Sequence, residues 1–179
     1  MARRGRFLDS WESYKRAGVN IALGTDTYPR DMVLQMRNAS YFGKVASRNL
    51  KAATAGEVFE AATLNGARSL GRDYIGRLAP GARADIVIID LTGRDSLRYG
   101  PIRDPIKSLI DCGIGDDIDT VIVDGVVRME GGRIPGVDFG ELRRQAQAAG
   151  ERIWSGWANW DSLGRTADQM SPFAFSRAN

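Results

Sequence analysis

The spacing of apolar and polar positions divides the chain into a helical first part, a strand-rich middle and a helical, aromatic end. Phe7, Leu8, Trp11, Tyr14 and Lys15 share one face at helical spacing, and Gly18 stands where a C′ glycine closes a helix. Val19, Ile21 and Leu23 alternate with Asn20 and Ala22 between two glycines, which predicts a short buried strand. A helix over about residues 30–45 follows, with Pro29 suited to its first turn and Met32, Val33, Met36, Ala39 and Ser40 recurring at its spacing. Residues 48–53 read as a connector. Thr54-Ala-Gly-Glu57 is a capping box ahead of a stripe of Val58, Phe59, Ala62 and Leu64. Gly66 interrupts that stripe, either as a turn with Asn65 or as a point of close helix packing.

From Gly76 the period shortens towards strands and tight turns. Pro80-Gly81 marks a turn, because proline presets φ and glycine accepts a positive one. Ile86 to Ile89 lie in an apolar run over residues 84–91, suited to a strand buried on both faces, with Asp85 and Asp90 as polar ends. Residues 120–123 and 126–129 flank Asp124-Gly125, a strong hairpin signal. Glu130-Gly131-Gly132 supplies a second turn into Arg133 and Ile134, with no phosphate-loop pattern around it. Leu142, Ala146, Ala149 and Ile153 predict a last helix. The tail carries Trp154, Trp157, Trp160, Phe173 and Phe175, enough apolar surface to wrap the body or dock on a partner.

Composition narrows the classes. The 179 residues carry a net charge of +3, with Arg scattered among acids; the one dense run is Arg3, Arg4 and Arg6. That run reads as a solvated start, so nucleic acid is not an expected partner. No stretch is apolar enough for a membrane span or a signal core, and a single cysteine, Cys112, excludes an internal disulfide. A cytoplasmic protein is expected. The chain contains no histidine.

The predicted strand delivers Thr25, Asp26 and Thr27 to its carboxyl end, immediately before a helix. A strand feeding a helix with an acid between them is the unit of (β/α)-barrel active sites. Asp26 has two readings at this point: a turn or cap residue satisfying free N–H groups, or a metal ligand and proton acceptor.

Gly18-Val-Asn-Ile-Ala-Leu-Gly-Thr-Asp26 resembles the last barrel strand of the amidohydrolase superfamily, in the branch of cytosine and guanine deaminases and triazine hydrolases. Ala61-Ala-Thr-Leu-Asn-Gly-Ala-Arg-Ser-Leu-Gly71 resembles that branch's helix after the barrel, and would continue it past Gly66. Ile75-Gly-Arg-Leu-Ala-Pro-Gly-Ala-Arg-Ala-Asp-Ile-Val-Ile-Ile-Asp90 resembles the entry to its small β domain. Asp104-Pro-Ile and the segment from Asp119 to Arg133 resemble the strands that finish it.

The resemblance implies an α/β fold. Residues 1–75 would be the last segment of a metal-dependent hydrolase (β/α)₈ barrel and residues 76–135 most of a β-sandwich-like composite domain; residues 136–179 would form a helix and aromatic tail. A whole barrel takes about 250 residues, so the chain is expected to begin inside a fold, as a split subunit or a fragment. The implied activity is hydrolysis of a non-peptide C–N bond, deamination or dechlorination of an amino-heterocycle by metal-activated water. Asp26 matches the carboxylate that takes the water's proton and touches the metal. Zinc or iron is implied for the complete enzyme, with no tight binding by this chain, which lacks the histidine ligands. The implied partners are the missing amino-terminal barrel half or a second copy, and a small-molecule substrate. A non-catalytic assembly module retaining the β domain is the opposing expectation.

Overall fold

Helix ends in the computed structural model, which describes residues 11–26, 28–92 and 97–175, are set by side-chain and backbone caps. Helix α1, Trp11–Arg16, closes with the Gly18 N–H on the Lys15 carbonyl and the Val19 N–H on the Tyr14 carbonyl, both at 3.0 Å. Gly18 has φ of +70°, so this is the paired-bond closure that favours glycine. Phe7 and Leu8, expected on the same helix, lie outside the described residues. Helix α2, Met32–Ser47, starts later than the pattern predicts. Asp31 is its cap, extended at φ −119° and ψ 108°, and accepts from the Leu34 N–H at 3.0 Å. A cap residue cannot be helical, so Pro29 stands before the helix and not in its first turn.

Helix α3, Ala55–Ala62, carries the capping box: the Glu57 N–H donates to Thr54 Oγ1 at 3.4 Å and the Thr54 N–H to Glu57 Oε2 at 2.9 Å. The chain breaks at Thr63, whose hydroxyl donates to the Phe59 carbonyl, and resumes as α4, Leu64–Ser69. Gly66 is inside α4 but meets nothing within 4 Å, so it is neither a turn nor a packing point. The close approach is at Gly43 of α2, where a Cβ would stand 2.5 Å from that of Ala53. Lys44 donates to the Ala53 carbonyl at 2.8 Å, and burial pulls its pKa below the ordinary lysine value. Those bonds fasten the connector, in which Ala53 has φ of +44°.

Helix α5, Pro105–Cys112, falls where the resemblance implied a strand at Asp104-Pro-Ile. Asp104 accepts from the N–H groups of Ile106 and Lys107, at 3.0 and 3.1 Å, and Pro105 occupies the first helical position. An Asp-Pro pair so placed nucleates a helix, and Ile106, Leu109 and Ile110 give it one apolar face. That face completes the core of Trp11, Val33, Met36, Ala53, Val58, Ala61, Leu109 and Ile110. Each large side chain buried there contributes about 1.5–3 kcal/mol.

The sheet is antiparallel, in the order β1 (Ile86–Ile89), β2 (Ile118–Val123), β3 (Val126–Met129). Val87 faces Val121 across β1 and β2, and the β2–β3 hairpin closes at Val123 and Val126. Asp124 and Gly125, at φ +51° and +78°, form the mirror-image turn that matches strand twist. Asp85 accepts from the Asp124 N–H at 2.7 Å, so it pins the turn. Glu130 and Arg133 exchange bonds at 2.9–3.0 Å around the two glycines, as a second tight turn. The turn at Pro80-Gly81 is also present. Strand β1 is not buried on both faces: Val87 is 53% exposed and Ile88 49%. Among the described residues the helical core takes Ile89 and Ile118 from the strands, while Val126 and Val127 of β3 are also about half exposed.

Sheet and helices are joined through Asp117, which is 2% exposed. Its carboxylate accepts from the Tyr99 hydroxyl and from the Ile114 N–H at 2.8 Å, and pairs with the Arg98 guanidinium. Burial pushes the Tyr99 phenol well above its usual value, and the bond to Asp117 pushes the same way.

The chain divides into two compact units between Pro135 and Gly136. In the second, α6 (Phe139–Gly156) starts at the Asp138 cap, and a 3₁₀ turn at Trp157–Asn159 leads to α7 (Ala167–Met170). Asp161 grips the Arg165 guanidinium, which holds its carboxyl well below the carboxylate range. Trp154, Trp160, Phe173 and Phe175 are at least half exposed, whereas Trp157 is half-buried. Among the described residues no helix is long and apolar enough to cross a membrane.

Candidate active site

Residues 19–25 carry neither helix nor turn, and no strand pairs with them among the described residues, so the predicted strand forms no ladder here. Its fastening comes from helices instead. The Leu23 N–H donates to the Ala61 carbonyl of α3 at 2.9 Å. The Asn65 side-chain amide of α4 donates to the Ile21 carbonyl at 3.0 Å, while Asn20 Nδ2 donates to the Asn65 carbonyl at 2.9 Å and to Ser69 Oγ at 2.8 Å. Ile21 and Leu23 pack against the core from this segment, and Val19 is 50% exposed. Alternation thus identifies which side chains turn inward even where the ladder is absent.

Asp26 lies at the carboxyl end of that segment, exposed, with φ of +51°. Asp tolerates this left-handed conformation better than most residues, yet it remains uncommon and is found at turns and functional sites. The cap function that competed for Asp26 belongs to Asp31. Asp31 is also held from a second side: its Oδ2 accepts from the Gly115 N–H at 3.1 Å, in the 3₁₀ turn between α5 and β2. One turn into α2, Arg37 donates from Nε to the Ile110 carbonyl at 2.9 Å and from a terminal nitrogen to the Gly113 carbonyl. The loop carrying Asp26 is therefore bounded by Asn65 and Ala61 on its entry side and by Asp31 on its exit. None of these anchors was singled out in the sequence. The polar Asn20 within an apolar run was the available signal.

The donor set does not make a metal centre. A catalytic zinc site takes three protein ligands and an open position, and no group of three His, Cys, Asp or Glu able to hold a metal occurs among the described residues. Asp26 could supply one ligand; Cys112 lies on α5. What the exposed Asp26 carboxylate can do unaided is accept a hydrogen bond or a proton.

The amidohydrolase family matches residues 5–128, and the chain belongs to that family. It is 39% identical over 140 residues to a 5′-deoxyadenosine deaminase of Methanothermobacter thermautotrophicus, covering 76% of this chain and 32% of that protein. It is 40% identical over 129 residues to a 5-methylthioadenosine/S-adenosylhomocysteine deaminase of Thermococcus sibiricus, covering 70% and 30%. Among solved structures, an adenosine deaminase from Xanthomonas campestris with bound zinc superposes with a TM-score of 0.71 at 30% identity, over 79% of this chain and 33% of that one. Atrazine chlorohydrolase from Arthrobacter aurescens, complexed with zinc, gives 0.64 at 29% identity, over 75% and 30%. The chain spans about a third of the length of the relatives it matches.

Proposed function

We propose that this chain is the carboxyl-terminal part of a hydrolytic deaminase, with Asp26 as the proton acceptor for the attacking water. The observation that carries the reading is the placement of an exposed, left-handed Asp26 between the segment of residues 19–25, held by α3 and α4, and helix α2, within the stretch that matches the family. Residues 1–75 would supply the last barrel segment, residues 76–135 much of the small β domain, and residues 136–179 a helix and tail. The relatives' names point to an amino-substituted purine nucleoside as substrate, within the wider class of amino-heterocycles that includes triazines.

In the reaction, water oxygen bonds to the ring carbon bearing the amino group and Asp26 takes one water proton; the amino nitrogen gains a proton from an acid outside this chain, the C–N bond breaks, ammonia leaves and the ring carbon keeps the oxygen. A divalent metal, zinc by analogy with the neighbours or iron, would have to be held mainly by histidine-bearing segments outside this chain. Those segments would come from an amino-terminal barrel half or a second subunit. The absence of any histidine from the sequence favours a second reading, a non-catalytic assembly module that keeps the β domain.

The experiment combines this chain with the separately produced amino-terminal half of a deaminase relative, adds zinc or iron, and follows ammonia release from 5′-deoxyadenosine and methylthioadenosine. Activity should appear only in the mixture, and Asp26→Asn should lower it about 10²–10⁴-fold, as for loss of a positioned general base. Undiminished activity of Asp26→Asn would remove Asp26 from this role. Two halves that bind without turnover would favour the assembly module.

A further inference from the structure

We infer that Asp31 is a positioning residue for Asp26, locking the loop between them onto the turn that joins α5 to the sheet; its role in activity rests on the deaminase reading above. The carboxylate is used from both oxygens. Oδ1 takes the Leu34 N–H of its own helix at 3.0 Å, and Oδ2 takes the Gly115 N–H, 84 positions along the chain, at 3.1 Å. A helix cap needs only the first of these. The second fixes the exit of the Asp26 loop to a different element, and the contact is tight: a Cβ at Gly115 would stand 3.2 Å from the Asp31 carboxyl carbon and Oδ2. Arg37 repeats the connection one turn on, at the carbonyls of Ile110 and Gly113. The entry of the loop is pinned separately, through Leu23 and Asn65. Asp26 thus stands between an entry tied to α3 and α4 and an exit tied to the 3₁₀ turn after α5. An exposed carboxylate with no ladder beside it needs such ties to keep one orientation.

Two variants separate this role from capping. Asp31→Ser keeps an oxygen for the Leu34 N–H and is too short to reach Gly115; Gly115→Ala leaves Asp31 in place and crowds its second bond. Trypsin cleavage after the exposed Arg30 reads opening of the loop, each rate divided by that of a free peptide spanning residues 24–36 of the same sequence. Both variants should be cut about tenfold faster than the parent, the size expected for losing one hydrogen bond to a charged group. In the mixture with the amino-terminal half, they should lower kcat by a similar factor and leave KM within about twofold. Cleavage at the parent rate in both variants would overturn the inference, whatever the enzyme assay shows. Faster cleavage with unchanged kcat would leave Asp31 as an anchor of the loop and overturn its positioning of Asp26. Failure of the deaminase reading would instead appear as inactive mixtures with the cleavage difference intact.

Discussion

Replacing Asp117 by Asn should destabilise the first unit more than any exposed polar change, because three donors of different kinds converge on one buried carboxylate. The Tyr99 hydroxyl, the Ile114 N–H and the Arg98 guanidinium all meet on it. Asn keeps the shape and one acceptor oxygen but turns the other position into a donor. The loss is then a hydrogen bond to a charged group, about 1.5–3 kcal/mol, and a mismatched buried donor, about 1–3 kcal/mol. Asp117→Ala removes both acceptor oxygens, takes them from the Tyr99 hydroxyl and the Ile114 N–H together, and should cost more than Asp117→Asn. Urea unfolding followed by far-ultraviolet circular dichroism, at one fixed protein concentration, reads both. Tyr99→Phe removes one hydrogen bond to the charged carboxylate and should cost about 1.5–3 kcal/mol.

The same cluster gives a pH signature. The folded phenol has a raised pKa, so the stability it contributes is fully present below the unfolded value near 10 and is lost as pH rises through the folded one. Stability should therefore fall above about pH 10, and Tyr99→Phe should flatten part of that fall. A cost under about 1 kcal/mol for Asp117→Asn, or an alkaline limb identical in Tyr99→Phe, would refute the reasoning.

Purified alone and dialysed, the chain should retain no stoichiometric zinc or iron by elemental analysis, since no three ligating side chains come together among the described residues; stoichiometric metal that disappears in Asp26→Asn would contradict this. The chain should also self-associate with rising concentration in analytical ultracentrifugation, because Val87, Ile88, Val126 and Val127 are each close to half exposed on a sheet whose edge strands meet no further strand among the described residues. A monodisperse monomer at high concentration would argue against it.

Local rules were legible in the sequence wherever one residue type satisfies one backbone need. The Thr54 capping box, the Gly18 closure and the Asp124-Gly125 hairpin are all present, because each motif carries its own hydrogen-bonding solution. The misreadings share a different cause. Residues 19–23 alternate as a strand does, but a ladder needs a neighbour that periodicity cannot supply. Ile86 to Ile89 are apolar enough for burial on both faces, and burial depends on what covers them. Asp104-Pro-Ile looked like a strand by resemblance, whereas the local chemistry of an Asp cap with proline after it favours a helix. Asp26 was legible as a candidate because it ends the segment, but its anchors were not. Asn65 and Gly115 act through contacts 44 and 84 positions away.

The Asn65 amide has a consequence for how the segment before Asp26 can pair. Successive side chains along a strand point to opposite faces, so a shift by one would turn Ile21 and Leu23 away from the core, and a shift by two would displace Asp26 by a full repeat. By holding the Ile21 carbonyl, and with the Leu23 N–H on Ala61, α3 and α4 mark one carbonyl and one amide of the segment. The two marks act as a ruler. Any strand that pairs with this segment meets an alignment already chosen by the helices, and Asn65→Leu, which keeps the bulk and deletes the mark, would return that choice to the strands.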